Sequence, residues 1–240
     1  MIRKNKIIPV ILAGGLGTRL RIIMNEMPKV LAPVMGRPFI TIILDQLITA
    51  KFNEVLICTG YMGDKVKKSI GKFYKNIKIK FSDETDLLGT GGAVINALKL
   101  LPKKTYAIMV MNGDSYLDIE LNKYIDWFIG AKIDCSLTLK NVKDTSRYGS
   151  VDIDNNKKVI AFYEKKINSS HGWVNAGIYL FKKSIFDDYN EGDKISIEKD
   201  ILPQLTEKNF YGYECDGEFI DIGTPESYAM AEAFFKKKLF

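Results

Sequence analysis

Residues 7–13 form an unbroken apolar run, Ile-Ile-Pro-Val-Ile-Leu-Ala, which passes directly into Gly14-Gly15-Leu16-Gly17-Thr18-Arg19. A short apolar run closed by glycine reads as a buried strand, of the kind found in parallel sheets covered by helices. Clustered glycines after such a strand present bare backbone N–H groups. They also permit the φ values and the close approach that a phosphate cradle needs. Arg19 and, after Pro28, Lys29 place positive charge where it would hold a triphosphate. Two better-known glycine loops are excluded. A Walker loop needs Gly-Lys-Ser/Thr, and the dinucleotide fingerprint needs a glycine where Leu20 stands.

Beyond this segment, β-branched runs alternate with helical patterns, the signal for a parallel sheet flanked by helices. The periodicity predicts strands over Ile7–Leu12, Glu54–Cys58, Ile77–Phe81, Tyr106–Met111 and Cys135–Lys140. Helices are predicted over Pro38–Ala50, Asp64–Tyr74, Gly91–Leu101 and Leu121–Ala131. After about residue 145 the chain becomes strand-rich, with Ser150–Ile153, Lys158–Glu164 and Val174–Phe181. Helices around Lys183–Tyr189 and Ser196–Leu205, two short strands and a last helix over Pro225–Lys237 complete it. No Pro-, Gly- or Ser-rich linker and no repeat interrupts the chain. The expectation is one domain over residues 1–240, in which about residues 146–240 add an acceptor-binding lobe to the phosphate-holding half of about residues 1–145.

Charge narrows the partners. Lys and Arg number 35 against 29 Asp and Glu, a formal net charge of +6. A basic balance fits nucleic acid, an anionic membrane surface or a small anionic substrate. Most lysines are scattered over amphipathic patterns, whereas Arg19, Arg21 and Arg37 lie near the glycine-rich segment, and planar recognition of phosphate favours arginine. No helix-turn-helix, aromatic RNP pair or basic stripe supports nucleic acid. No apolar run approaches the roughly 18 residues that span a bilayer, and the N-terminal run is too short for a signal peptide. Cys58, Cys135 and Cys215 are far apart and in no CxxC pattern, which fits a reduced cytoplasmic setting.

The stretch Leu12 to Leu20 with Pro28-Lys29 resembles the signature of the sugar-1-phosphate nucleotidyltransferases. Leu88-Gly89-Thr90-Gly91-Gly92-Ala93 resembles that family's base-binding turn, and Asn112-Gly113-Asp114 its metal-binding strand end. Tyr148-Gly149, Glu164-Lys165 and Asn175-Ala176-Gly177 resemble its sugar-binding segments, and Asp221-Ile222-Gly223-Thr224-Pro225 its second aspartate motif. These elements occur in the family's order over nearly the whole chain. The resemblance implies an α/β fold with a Rossmann-like, mixed, mostly parallel sheet and helices on both faces. It assigns Leu12, Ala13, Gly14, Gly15, Gly17, Thr18, Glu84, Gly89, Thr90 and Gly91 to the nucleotide. Asn112, Gly113, Tyr148, Gly149, Glu164, Lys165, Asn175 and Gly177 fall to the sugar phosphate. Arg19, Lys29 and Asp114 become catalytic, and Asp114 with Asp221 would hold Mg²⁺.

The residues agree with that chemistry. Two carboxylates plus phosphate oxygens suit Mg²⁺, which keeps few protein ligands and several waters. A sugar 1-phosphate is already ionised at neutral pH, so its attack on an α-phosphorus needs alignment and charge neutralisation rather than a side-chain nucleophile. The only histidine, His171, sits in a polar loop and reads as merely exposed, which removes histidine-based triads.

Glu84 precedes the base-binding turn, and an ionised carboxylate accepts without donating, which suits the N1–H and N2–H₂ donors of guanine. Lys29 to Phe39, the spacing of Glu84 to Leu88-Gly89-Thr90-Gly91-Gly92, and Phe219 to Pro225 are most similar to the D-glycero-α-D-manno-heptose 1-phosphate guanylyltransferase branch. GTP and that heptose phosphate are therefore the expected partners. Mannose 1-phosphate with GTP, and glucose 1-phosphate with dTTP or UTP, stay open, as do a silent nucleotide-sugar-binding subunit and a homodimer.

Overall fold

β1 (Ile7–Leu12) is apolar throughout because both of its faces are covered. In the computed structural model, which describes residues 4–20, 24, 27–164 and 170–237, it lies inside a ten-stranded sheet. After β1 come a small hairpin of β2 (Pro33–Val34) and β3 (Arg37–Pro38), helix α1 (Phe39–Thr49) and β4 (Glu54–Thr59). Then follow α2 (Gly63–Ile70), β5 (Phe73–Tyr74), β6 (Ile77–Asp83), α3 (Gly89–Leu98) and β7 (Ala107–Asn112). β8 (Ser115–Leu117), α4 (Leu121–Gly130), β9 (Cys135–Val142), β10 (Ser150–Ile153), β11 (Val159–Tyr163) and β12 (Gly172–Lys182) continue the chain. It closes with the one-turn helix α5 (Leu202–Leu205), β13 (Phe210–Glu214), β14 (Phe219–Asp221) and α6 (Pro225–Lys236).

The strand order is β11-β10-β12-β7-β1-β4-β6-β5, with β9 on β12 and β13 on β9. β7, β1, β4 and β6 run parallel, and β12 runs antiparallel to β7, so the sheet is mixed with a parallel centre. Alternation along β1 sends Ile7 and Ile11 to one face and Val10 to the other. The first face buries Phe39, Leu44 and Leu47 of α1, Phe128 of α4 and Phe235 of α6. The second buries Val94 of α3 together with Ile197 and Leu202. Each such side chain taken from water contributes about 1.5–3 kcal/mol. α6 starts where expected, since Thr224 and Ser227 close a capping box around Pro225. Among the described residues no helix is long and apolar enough to cross a membrane.

Three segments differ from the pattern read in the sequence. The helix expected over 64–74 stops at Ile70, where Gly71 adopts φ +72, and Phe73–Tyr74 turn back as a strand against β6. The helix expected over 183–189 is a single 3-10 turn, Lys183–Phe186. That expected over 196–205 opens as a π-turn at Ile197–Ile201, capped by Ser196, before α5. Pro203 has no N–H to continue an α-helical ladder from that turn. His171 is exposed, as its polar loop suggests.

α4 is tied to the sheet by one buried polar contact. The Tyr124 and Ser136 hydroxyls lie 2.7 Å apart, and both residues are fully buried. Burial pushes the phenol pKa up, so it stays a neutral hydrogen-bonding group. Tyr124→Phe should cost about 1–2 kcal/mol, because it strips this buried contact without opening a large cavity. Urea unfolding followed by circular dichroism should show a lower midpoint at unchanged slope.

Candidate active site

Level strand ends build the site. Leu12 at the end of β1 pairs with Asn112 of β7 on one side and Cys58 of β4 on the other. On β6, Asp83 pairs with Thr59. The loops after these strands therefore leave the carboxyl edge of the parallel sheet together, where ligands of open α/β sheets bind. They enclose a cavity of about 410 Å³, within the range of small-ligand sites.

The glycines answer to close contacts. A Cβ on Gly14 would stand 3.1 Å from the Gly60 nitrogen, so the turns after β1 and β4 cross almost backbone to backbone. Gly17 has φ +58 and lies over the Lys29 side chain. Gly113 passes over β1, its N–H donating to the Leu12 carbonyl at 2.9 Å, and a Cβ there would sit 2.5 Å from that oxygen. This crossing sets Asp114 beside the glycine-rich turn.

Among the residues expected to meet the nucleotide, Leu12, Ala13, Gly14, Gly15, Gly17, Thr18, Glu84, Gly89 and Thr90 line the cavity. Arg19, Lys29, Asn112, Gly113 and Asp114 line it too. Gly91 does not. It is buried, its N–H donates to the Ile195 carbonyl at 2.8 Å, and a Cβ there would press on the Ile195 side chain. Its absent side chain serves packing of α3 on the 195 segment, which corrects its assignment to the nucleotide. Arg21 and Lys165 lie outside the described residues. A wider groove of about 1150 Å³ runs past Asp45, Glu120 and Tyr213, but of the cationic and carboxylate residues singled out above it holds only Arg37.

Both carboxylates on the cavity wall are already engaged. Lys29, held in a 3-10 turn after Pro28 and largely buried, pairs with Asp114. Glu84 Oε2 accepts from the Leu88 N–H at 3.1 Å, while Oε1 faces the Gly14 turn. Burial raises the Glu84 pKa, and the Leu88 hydrogen bond opposes that shift only in part.

Asp221 reaches the same edge through β14, which pairs with β8 so that Asp221 stands opposite Ser115, and Ile222 N–H donates to the Asp114 carbonyl at 2.8 Å. Its Oδ1 accepts from Gly223 N–H at 2.7 Å and Ser227 Oγ at 3.3 Å. Its Oδ2 accepts from Tyr148 OH at 3.0 Å and Arg147 Nη2 at 3.1 Å. Burial, helped by the Asp221 charge, pushes the Tyr148 pKa to about 12, so the phenol remains a donor.

The other sugar-assigned residues lie on neighbouring strands rather than on the cavity wall. Gly149 fits under the Phe162 ring and its carbonyl accepts from Asn175 N–H at 2.9 Å; Glu164 is exposed after β11. β12 shifts register between Asn175 and Tyr179, and Gly177 at φ +78 lies against Asn112 and Ser115. Asn175 Nδ2 donates to Tyr179 OH at 2.7 Å, and Tyr179 OH donates to Glu198 Oε1 at 3.1 Å. Glu198 Oε2 accepts from Thr90 Oγ1 at 2.7 Å. Arg147 and Glu198 were not foreseen, and Gly223, read as part of the second aspartate motif, lines the cavity. Arg147 adjoins Tyr148-Gly149 and was legible there, whereas no spacing links Glu198 to Thr90.

Comparison with known proteins agrees with this geometry. A family described as nucleotidyl transferase matches residues 8–238. The D-glycero-α-D-manno-heptose 1-phosphate guanylyltransferase of Aneurinibacillus thermoaerophilus is 38% identical over 93% of this chain and 96% of its own. The enzyme of that name from Campylobacter jejuni is 38% identical over 91% and 96%. The crystal structure of HddC from Yersinia pseudotuberculosis complexed with GMP-PN superposes with a TM-score of 0.82 at 35% identity, over 95% of this chain and 98% of that one. The chain belongs to the nucleotidyl transferase family.

Proposed function

We propose that the protein transfers the guanylyl group of GTP to D-glycero-α-D-manno-heptose 1-phosphate, giving GDP-heptose and pyrophosphate. The observation that carries this reading is the convergence of the glycine-rich turn, Arg19, Lys29, Asp114 and Gly223 on one cavity, with Asp221 held next to it by β14 and by the Gly223 N–H. The phosphate oxygen of the acceptor attacks the α-phosphorus and the α–β anhydride bond breaks, so pyrophosphate leaves. The attacking oxygen carries no proton at neutral pH, and no base is required. Arg19 and Lys29 would steady the charge that builds on the phosphates.

Asp114 and Asp221 offer hard oxygen donors in a site that also receives phosphate. Among the described residues no group of three or more His, Cys, Asp or Glu could cage an ion by itself. Such a pair fits Mg²⁺ arriving with the triphosphate and retaining water. The ion would polarise the phosphates and offset their charge. The sugar assignment rests on the heptose enzymes named above and on the near end-to-end match. GDP-heptose of this kind would feed the assembly of bacterial surface polysaccharide.

Glu84 supports guanine. Its Oε1 faces the cavity as an acceptor, and guanine N1–H and N2–H₂ would restore the hydrogen bonds that burial removes. Each donor missing from a base should cost about 1–3 kcal/mol. With heptose 1-phosphate and Mg²⁺, mass detection of the nucleotide sugar should give kcat/KM in the order GTP, ITP, ATP, with UTP, dTTP and CTP poor. A preference for dTTP or UTP overturns the guanylyl reading and leaves nucleotidyl transfer standing. Asp114→Asn and Asp221→Asn should each lower kcat by about two orders of magnitude or more, with the folded far-UV circular dichroism spectrum retained. Normal turnover in either variant removes that residue from the ion site.

A further inference from the structure

Asp221 Oδ2 has two tenants of different kinds. Tyr148 OH is a neutral donor, and Arg147 Nη2 is a cation at 3.1 Å on a side chain 43% exposed. The opposite oxygen accepts from Gly223 N–H and Ser227 Oγ and has Arg147 Nη2 at 3.5 Å, so the guanidinium stands over both oxygens of Asp221 and nearer to Oδ2. A divalent ion that takes Asp221 meets the guanidinium there, and the two cations repel each other and compete for the carboxylate lone pairs. The contrast with Asp114 is instructive. Its partner Lys29 is 12% exposed and packed beneath Gly17, so that cation is fixed in place. Arg147 is the more exposed of the two cations and can leave its carboxylate without opening a buried gap. Its guanidinium lies 5.6 Å from the Tyr148 ring centre, at the start of the segment that runs into Gly149 and, through the Gly149 carbonyl, contacts Asn175.

We propose that Arg147 competes with the divalent ion for Asp221 and, once displaced, binds the phosphate of the acceptor sugar 1-phosphate. The proposal rests on Asp221 being an ion ligand in the function proposed above. Arg147 neutralises Asp221 until the ion arrives, and is then delivered as a planar, bidentate donor to the second anionic substrate. Ion binding and acceptor binding are thus coupled through one side chain, so the acceptor meets its full set of cations only after the ion is seated. Glu226 is the competing destination, because its carboxyl feels the Arg147 charge.

The test is an Mn²⁺ titration of the GTP-bound protein without acceptor, followed by electron paramagnetic resonance, beside steady-state kinetics with GTP and heptose 1-phosphate. Arg147→Ala should bind Mn²⁺ about two- to fivefold tighter, as expected for removing an exposed ion pair. It should raise the KM for the sugar phosphate about tenfold or more while the KM for GTP holds. Arg147→Lys, a cation without the fork, should fall between. Unchanged or weaker Mn²⁺ binding in Arg147→Ala overturns the competition. An unchanged sugar-phosphate KM shows that the guanidinium goes elsewhere, Glu226 included, and overturns the delivery. Asp221→Asn separates this from the parent reading. If that variant binds Mn²⁺ as well as wild type, the ion site itself is wrong. If it loses Mn²⁺ while Arg147→Ala matches wild type, only the Arg147 proposal fails.

Discussion

Parallel pairing of β7, β1 and β4 in level register is the constraint on which the rest depends. Because Leu12 faces Asn112 on one side and Cys58 on the other, three loops emerge at one height, and each must pass close to its neighbours. That crowding selects glycine where backbones cross, at Gly14 against Gly60 and at Gly113 against Leu12. Those positions then fix where Asp114, Glu84 and Lys29 stand. A slip of one residue in β7 would send Met109 and Met111 to the opposite core face. Core packing and the placement of the site's charges are therefore the same fact seen from two sides.

Two cations at the site are already paired with carboxylates, whereas Arg19 lines the cavity as an exposed side chain. Lys29 lies on Asp114 and Arg147 on Asp221, while Glu84 is held by a backbone N–H. A buried charge with no partner is expensive, so substrates must enter by exchanging partners. The exchange is asymmetric, since a packed lysine stays and an exposed arginine moves at little cost.

Much of this was legible in the sequence, for physical reasons. β1 and α1 announce themselves through periodicity, and the turn after β1 through its glycines, because both signals are local. Leu12 to Arg19, the glycine-rich turn that the sequence marks out, line one cavity. What escaped the sequence depends on tertiary contact. Gly91 looked like part of the same turn, yet its N–H is taken by Ile195, which a local pattern cannot reveal. Glu198 carries no motif of its own and gains meaning only from Thr90 and Tyr179. The strand Phe73–Tyr74 was hidden because Gly71 ends a helix whose apolar spacing appears to continue.

The hydrogen-bonded chain from Asn175 to Thr90 has a definite sense. Asn175 must offer its amide hydrogens to Tyr179, since its oxygen is taken by Gly177 N–H. Tyr179 spends its only proton on Glu198, and the same carboxylate accepts from Thr90 and Ser196. Flipping the amide of Asn175 would set oxygen against oxygen at one end and hydrogen against hydrogen at the other. The chain thus has one proton arrangement rather than several, and of its members Thr90 lines the cavity. A ligand meeting the Thr90 hydroxyl finds little rotational freedom left to freeze, and the entropic penalty of ordering it was already met on folding.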